Sequence, residues 1–291
     1  MFKKLRNNKY ILFMYSKIFL FHYSFKWYQE YKNEKKNINI TSSNLIERSR
    51  VPKLFIVPHA DDELFGGYAL KLLQGNSLIW AYFGFTGSNK TLKNERIRER
   101  EFTKMAQKMK ANFYKIQNVE QLNKIVRDNN IQEIYLPSLI DWHYEHRLVN
   151  YMLLECSILS EKNIKLFWYT ISVPLMTSKS KFFVPMNKKE QNKKYKCFKR
   201  IYKSQRYMPI KRFKFQEKLE GKLINKYAAE SFIHINTKEW EIITQKFFEL
   251  EEQNSNLLIE INKLKDYINS IKKIRSKASN IYLLIEQNKG I

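Results

Sequence analysis

Cysteine is nearly absent from this 291-residue chain. Cys156 and Cys197 stand far apart with no CxxC or paired spacing, which excludes a disulfide framework and a thiolate metal site. Two reduced thiols suit the cytoplasm. Long apolar runs are missing too. The most apolar stretch, Tyr10 to Tyr23, is interrupted by Lys17, whereas a spanning helix needs roughly 20 mostly apolar residues. No small-residue cleavage site follows it, so it does not read as a signal peptide either. Acidic residues are outnumbered, 28 Asp and Glu against 53 Lys and Arg, giving a formal net charge of +25. That balance points to an anionic partner: nucleic acid, a lipid headgroup surface or a phosphorylated substrate. The lysines and aromatics interleaved from Tyr195 to Tyr207 match no RNA-recognition motif or zinc finger, so specific nucleic acid binding is not expected.

Hydrophobic residues make up 44% and aromatics 15% of the chain, enough to fold, and the length suits one large α/β domain with additions. Residues 1–50 form a basic, aromatic N-terminal segment and linker. It reads either as a helix at the inner face of an anionic membrane or as one packed on the domain. From residue 51 strands alternate with helices. Strands are expected at Leu54–Val57, Ser77–Thr86, Ala111–Ile116, Ile131–Pro137 and Ile164–Ser172, and helices at Leu64–Leu73, Leu92–Lys110, Val119–Asn129 and Arg147–Ser160. This alternation implies a Rossmann-like, mostly parallel sheet with helices on both faces. Ser178–Lys194 reads as a lysine-rich loop, followed by helices at Lys196–Arg206 and Phe215–Tyr227. Residues 236–291 form a helical C-terminal extension. There Ile243, Phe247, Leu250, Asn254, Leu257, Ile261, Leu264, Ile268 and Ile271 make a heptad-like seam, expected to pair two copies of the chain as a homodimer. The alternative is a long helix packed on its own domain.

Histidine is scarce, at five residues, and three of the five fall in two short acidic clusters. Val57-Pro58-His59-Ala60-Asp61-Asp62-Glu63 follows the first strand. Asp141-Trp142-His143-Tyr144-Glu145-His146-Arg147 follows the strand ending at Pro137. In an open α/β sheet the carboxyl ends of strands are where ligands bind. Taken singly, the first cluster reads equally well as a turn in which Asp61 or Asp62 caps the next helix, and the second as exposed loop. Together they offer histidine nitrogen and carboxylate oxygen, the donors that suit zinc or another divalent first-row ion such as Fe2+. His59, Asp62 and His146 are the candidate ligands. Asp61 is left beside them as a base, and His143 as a donor to a developing oxyanion.

The two clusters resemble the paired signature of the PIG-L/LmbE-like family of zinc-dependent de-N-acetylases. Thr86-Gly87, Arg98 with Glu101, Tyr202-Lys203-Ser204-Gln205 and Ala229-Glu230-Ser231-Phe232 are similar to further elements of that family, so the likeness covers roughly Val51 to Phe232, within a deacetylase-like domain expected at residues 51–235. It implies a Zn2+ cofactor held by His59, Asp62 and His146, with Asp61 as general base, His143 stabilising the oxyanion and Arg98 contacting substrate. It also implies the reaction: removal of acetyl from an N-acetylated amino sugar by attack of a zinc-bound water. Asp141 and Glu145 would support the histidines from behind. Three positions depart from the pattern: Ala60 and Tyr144 where proline is usual, and Glu145 where aspartate is usual, a side chain one methylene longer in a position expected to orient His143. The charge adds the expectation of an anionic or lipid carrier on the sugar. The rival reading is a catalytically weak relative that binds glycans, membranes or nucleic acid through its basic surface.

Overall fold

The computed structural model describes residues 44–253, apart from 88–90, 140, 142, 158, 160–162, 172–180, 207 and 209, together with part of residues 25–36. The apolar stretch from Tyr10 to Tyr23 and the seam beyond Gln253 lie outside the described residues. Among the described residues no helix is long and apolar enough to cross a membrane.

Seven strands form one sheet in the order β3-β2-β1-β4-β5-β7-β6. They are β1 (Lys53–His59), β2 (Leu78–Phe85), β3 (Phe113–Lys115), β4 (Glu133–Pro137), β5 (Lys165–Tyr169), β6 (Lys181–Met186) and β7 (Ala228–Ile235). The first five run parallel. β7 is antiparallel to both β5 and β6. Eight described helices accompany them: α1 (Asp62–Phe65), α2 (Tyr68–Gln74), α3 (Leu92–Met109), α4 (Val119–Asp128), α5 (Tyr144–Leu154), α6 (Lys188–Ile201), α7 (Ile210–Leu223) and α8 (Thr237–Gln253).

The central strands carry apolar runs such as Leu54–Val57 of β1 and Leu166–Tyr169 of β5 because both faces are covered. Successive residues of a strand point to opposite faces. Leu54 and Ile56 of β1 therefore join Ile134 of β4 in one core with α4, α5 and α8. Phe55 and Val57 join Trp80 and Tyr82 in the other, with α2, α3, α6 and α7. Trp240, Ile243 and Phe247 of the C-terminal extension are buried in the first core, so this part of α8 packs on its own chain.

Two sequence expectations change. Ser178–Lys194 is not a loop: it contains edge strand β6 and the start of α6. Pro185 sits in that edge strand, where a missing N–H is tolerated. The segment from Asn44 lies along β6, with Ile46 N donating to Phe183 O at 2.9 Å. Lys181 and Lys194, which read as solvated cations, are buried and pair with Glu220 at 2.9 Å and with Glu217 at 2.6 Å and Glu230 at 2.8 Å. The strand β7 had no counterpart in the sequence reading.

The helix expected at Leu64–Leu73 is broken at Gly66-Gly67 into α1 and α2. A Cβ on Gly66 would collide with the ring of Tyr169, and one on Gly67 would stand 2.7 Å from the ring of Phe55. Close approach of backbone to aromatic rings is what these glycines permit. Glu230 Oε2 then accepts the first free N–H groups of α2, from Ala69 at 2.9 Å and Leu70 at 3.2 Å. Lys194 Nζ, bound to the same carboxylate, donates to Phe65 O at 3.0 Å. Gly67→Ala should cost about 1–3 kcal/mol of overpacking. Urea denaturation reads this out, and an unchanged midpoint would show that the Phe55 ring yields freely.

Candidate metal centre

β1 pairs with β2 on one side and β4 on the other. The chain leaves β1 toward β2 and β3, then returns to β4 and β5, so the β1/β4 boundary is the topological switch point, where open α/β sheets bind ligands. The first cluster leaves the carboxyl end of β1 and the second follows β4. Side chains 84 residues apart are thereby brought into contact.

His59 Nδ1 lies 2.9 Å from His146 Nε2 and 3.2 Å from Asp62 Oδ2. His146 Nε2 lies 3.2 Å from the same Asp62 oxygen. All three residues are buried. The far side of each imidazole decides its tautomer. His59 Nε2 stands 2.6 Å from Glu145 Oε2, so its proton belongs there and Nδ1 presents a lone pair. His146 Nδ1 lies 3.2 Å from Asp141 Oδ1, within ion-pair range although not aligned as a hydrogen bond, so Nε2 presents the other. Two lone pairs and a carboxylate oxygen thus converge, an arrangement that calls for a cation. The separations are close to the edge of about 3.4 Å expected for tetrahedral zinc with bonds of ~2.1 Å. A proton can play the cation's part: burial pushes His146 down, but Asp62 and Asp141 overcome it and hold the ring up to about 10. Burial likewise pushes Asp62 up, and His146 and His59 more than reverse it, leaving the carboxyl far below its usual range. A looser group, His59, His143 and Glu145, also has metal-ligand chemistry, but its His143 Nδ1 and Glu145 Oε2 are 4.0 Å apart.

Asp61 sits at φ 129, a strained conformation of the kind that collects at functional sites. It is buried, and its Oδ2 has no hydrogen-bond partner among the described residues. Burial, then the charge of Asp62, raise its pKa well above the ordinary carboxylate range, while the Arg98 guanidinium pulls the other way. Arg98 reaches toward Asp61 from α3. His143, partly exposed, stacks edge-on against His59 with ring centroids 4.4 Å apart. Burial and the other two histidines push it down to about 2.

Glu145, expected beside His143, stands within ion-pair range of it at 4.0 Å and lies closer still to His59, at 2.6 Å. It also accepts Gly87 N at 2.8 Å. The carboxylate thus links α5 to the Thr86-Gly87 turn. A Cβ on Gly87 (φ 67) would meet His143 Nε2 at 3.4 Å. Asp141 accepts His143 N at 2.9 Å and faces His146.

The sequence alone did not place the strap formed by residues 202–205. Tyr202 Oη donates to Glu63 Oε1, and Gln205 Nε2 donates to Ala60 O. Ser204 N donates to Glu101 Oε1 at 2.9 Å. These bonds tie the strap to the loop after β1, through Ala60 and Glu63, and to α3, through Glu101. Burial raises Glu63 to about 8 despite the Tyr202 bond.

No family model matches the sequence, and no curated protein matches it. Solved structures do match. A deacetylase from the teicoplanin biosynthesis pathway superposes with TM-score 0.51 at 10% identity, covering 64% of this chain and 99% of that one. The N,N'-diacetylchitobiose deacetylase from Pyrococcus horikoshii gives 0.50 at 15%, covering 64% and 84%. A conserved protein from Thermus thermophilus gives 0.50 at 18%, covering 63% and 94%. At these identities the likeness establishes the α/β fold.

A cation entering between His59, Asp62 and His146 would do so in a pH-dependent way. A protonated His146 cannot ligate, and its raised pKa means the proton must leave when a cation enters at neutral pH. Zinc affinity should rise about tenfold per pH unit up to about pH 10. Calorimetry in buffers of different ionisation enthalpy should find close to one proton released per zinc at about pH 7. No proton release would show that His146 is not a ligand.

Proposed function

We propose that the chain is a metal-dependent amide hydrolase that removes acetyl from an N-acetylated amino sugar, giving acetate and a free amine. The observation that carries this reading is the convergence of His59 Nδ1, Asp62 Oδ2 and His146 Nε2 beside the unpartnered Asp61 oxygen. The fold shared with deacetylases supports it by analogy. A divalent cation held by those three residues, Zn2+ or an ion such as Fe2+, would supply a Lewis acid that polarises a carbonyl and acidifies water.

The chain's own groups do the rest. Asp61 accepts the proton of the attacking water. Its buried Oδ2, without a hydrogen-bond partner among the described residues, is the atom that takes this proton. His143, held neutral, offers the hydrogen bond of a neutral imidazole to the acetamide oxygen as charge develops there. Glu145 and Asp141 keep the ligand rings in register. Arg98 contacts the substrate near Asp61. Exposed Lys203 lies in the strap whose Tyr202 and Gln205 bind Glu63 and Ala60, which favours a sugar carrying a phosphate or similar anion on its aglycone.

Acetate release from neutral and phosphorylated N-acetylglucosaminides, with added zinc, tests this reading. Turnover is expected, faster for the phosphorylated sugar at low salt, with the advantage shrinking as the Debye length falls from about 10 Å at 0.1 M. Asp61→Asn should retain zinc and lose about 10²- to 10⁴-fold in kcat. A buried carboxyl whose folded pKa lies above its unfolded value costs stability at neutral pH, so the metal-free variant should also melt higher. Absence of acetate from every sugar would contradict the proposal, and unchanged turnover in Asp61→Asn would reassign the base.

A further inference from the structure

The helix α8 belongs to the extension that the sequence set apart from the catalytic region, yet its last described turn reaches the residue next to a candidate ligand. Arg147, fully buried, donates from Nε to both Glu251 oxygens at 3.1 Å and from Nη2 to Oε1 at 2.8 Å. Tyr151 Oη donates to the other oxygen. The remaining arm of the guanidinium, Nη1, donates to Asp141 O at 2.7 Å. Asp141 in turn faces His146 Nδ1 and accepts His143 N.

We infer that Glu251 is a positioning residue for the cation site. It acts through Arg147 and Asp141 on His146, and the inference rests on the metal reading above. A guanidinium is a rigid planar fork, so fixing two of its nitrogens fixes the third. With Glu251 in place, the fork holds the Asp141 backbone and leaves the Asp141 carboxylate for the histidine. A buried guanidinium cannot discharge itself by losing a proton. Without Glu251 it turns to the nearest remaining anion, and Asp141 is the residue it already touches. Drawing that carboxylate away frees the His146 ring to rotate and to change tautomer, weakening one of three ligands. The C-terminal helix therefore sets the quality of the site through an arginine 104 residues earlier in the chain.

The test is zinc affinity, read by competition with a chromophoric chelator, and the visible spectrum of the cobalt-loaded protein, which responds to ligand geometry. The isosteric Glu251→Gln should bind zinc about tenfold more weakly, as loss of an outer-shell partner does, and should shift the cobalt bands. Glu249→Gln, an exposed change on the same helix, should alter neither. Tyr151→Phe, which loosens Glu251 and keeps the ring in the core, should act in the same direction by about two- to threefold. It carries the test if Glu251→Gln does not fold. In combination with Asp141→Asn, Glu251→Gln should add little, because coupled residues are not additive. Wild-type affinity in the folded variants overturns the inference, as do losses that simply multiply in the double variant. A wild-type chain that takes up no zinc overturns the metal reading and this inference with it.

Discussion

Three hydrogen-bond acceptors held within 3.2 Å of one another are the constraint on which the rest of this structure turns. Such a cluster is repulsive unless a positive charge enters it. The surrounding chain is arranged to keep the acceptors there. Glu145 and Asp141 take the outer nitrogens of the two rings. The Asp62 oxygen also accepts His59 N at 2.8 Å, which closes the loop on itself. Strap 202–205 holds the loop from one side and the Arg147–Glu251 pair steadies the far end of Asp141.

The same logic explains the charged groups inside the fold. Lys194 lies among Glu217, Glu230 and the Phe65 carbonyl, and its pKa stays raised because the two carboxylates outweigh burial. Removing either partner would leave a buried charge uncompensated, which is costly. Through Glu230 the network fixes the start of α2, and through Phe65 the end of α1, the helix that bears Asp62. Part of the chain's basic excess, Lys181 and Lys194 among it, is thus internal scaffolding. The cations available to a substrate are fewer than the net charge suggests.

Much of the sheet was legible in the sequence because its central strands β1, β2, β4 and β5 are largely buried and carry apolar runs. The parallel strands β1 to β5 and helices α3 and α4 fall within a few residues of their expected places. The edge was not legible. β6 carries Lys181 and Pro185, and β7 carries Glu230 and His234, so neither shows a clean apolar signal; their pairing comes from long-range hydrogen bonds. The break at Gly66-Gly67 was equally hidden, since only Tyr169 and Phe55, placed by tertiary packing, reveal why glycine stands there. At the site, residue types and strand-end positions were readable. The pairing of carboxylates with ring nitrogens was not, because Glu145 lies within range of both His59 and His143 and only the folded geometry sets those distances.

X-ray absorption at the zinc edge of the metal-loaded protein tests the cation site most directly. The account predicts about one zinc per chain with only nitrogen and oxygen neighbours at ~2.0–2.2 Å. It also predicts the outer-shell scattering of two imidazoles, reduced to one in His146→Ala. A spectrum without imidazole scattering, or one unchanged in that variant, would contradict it.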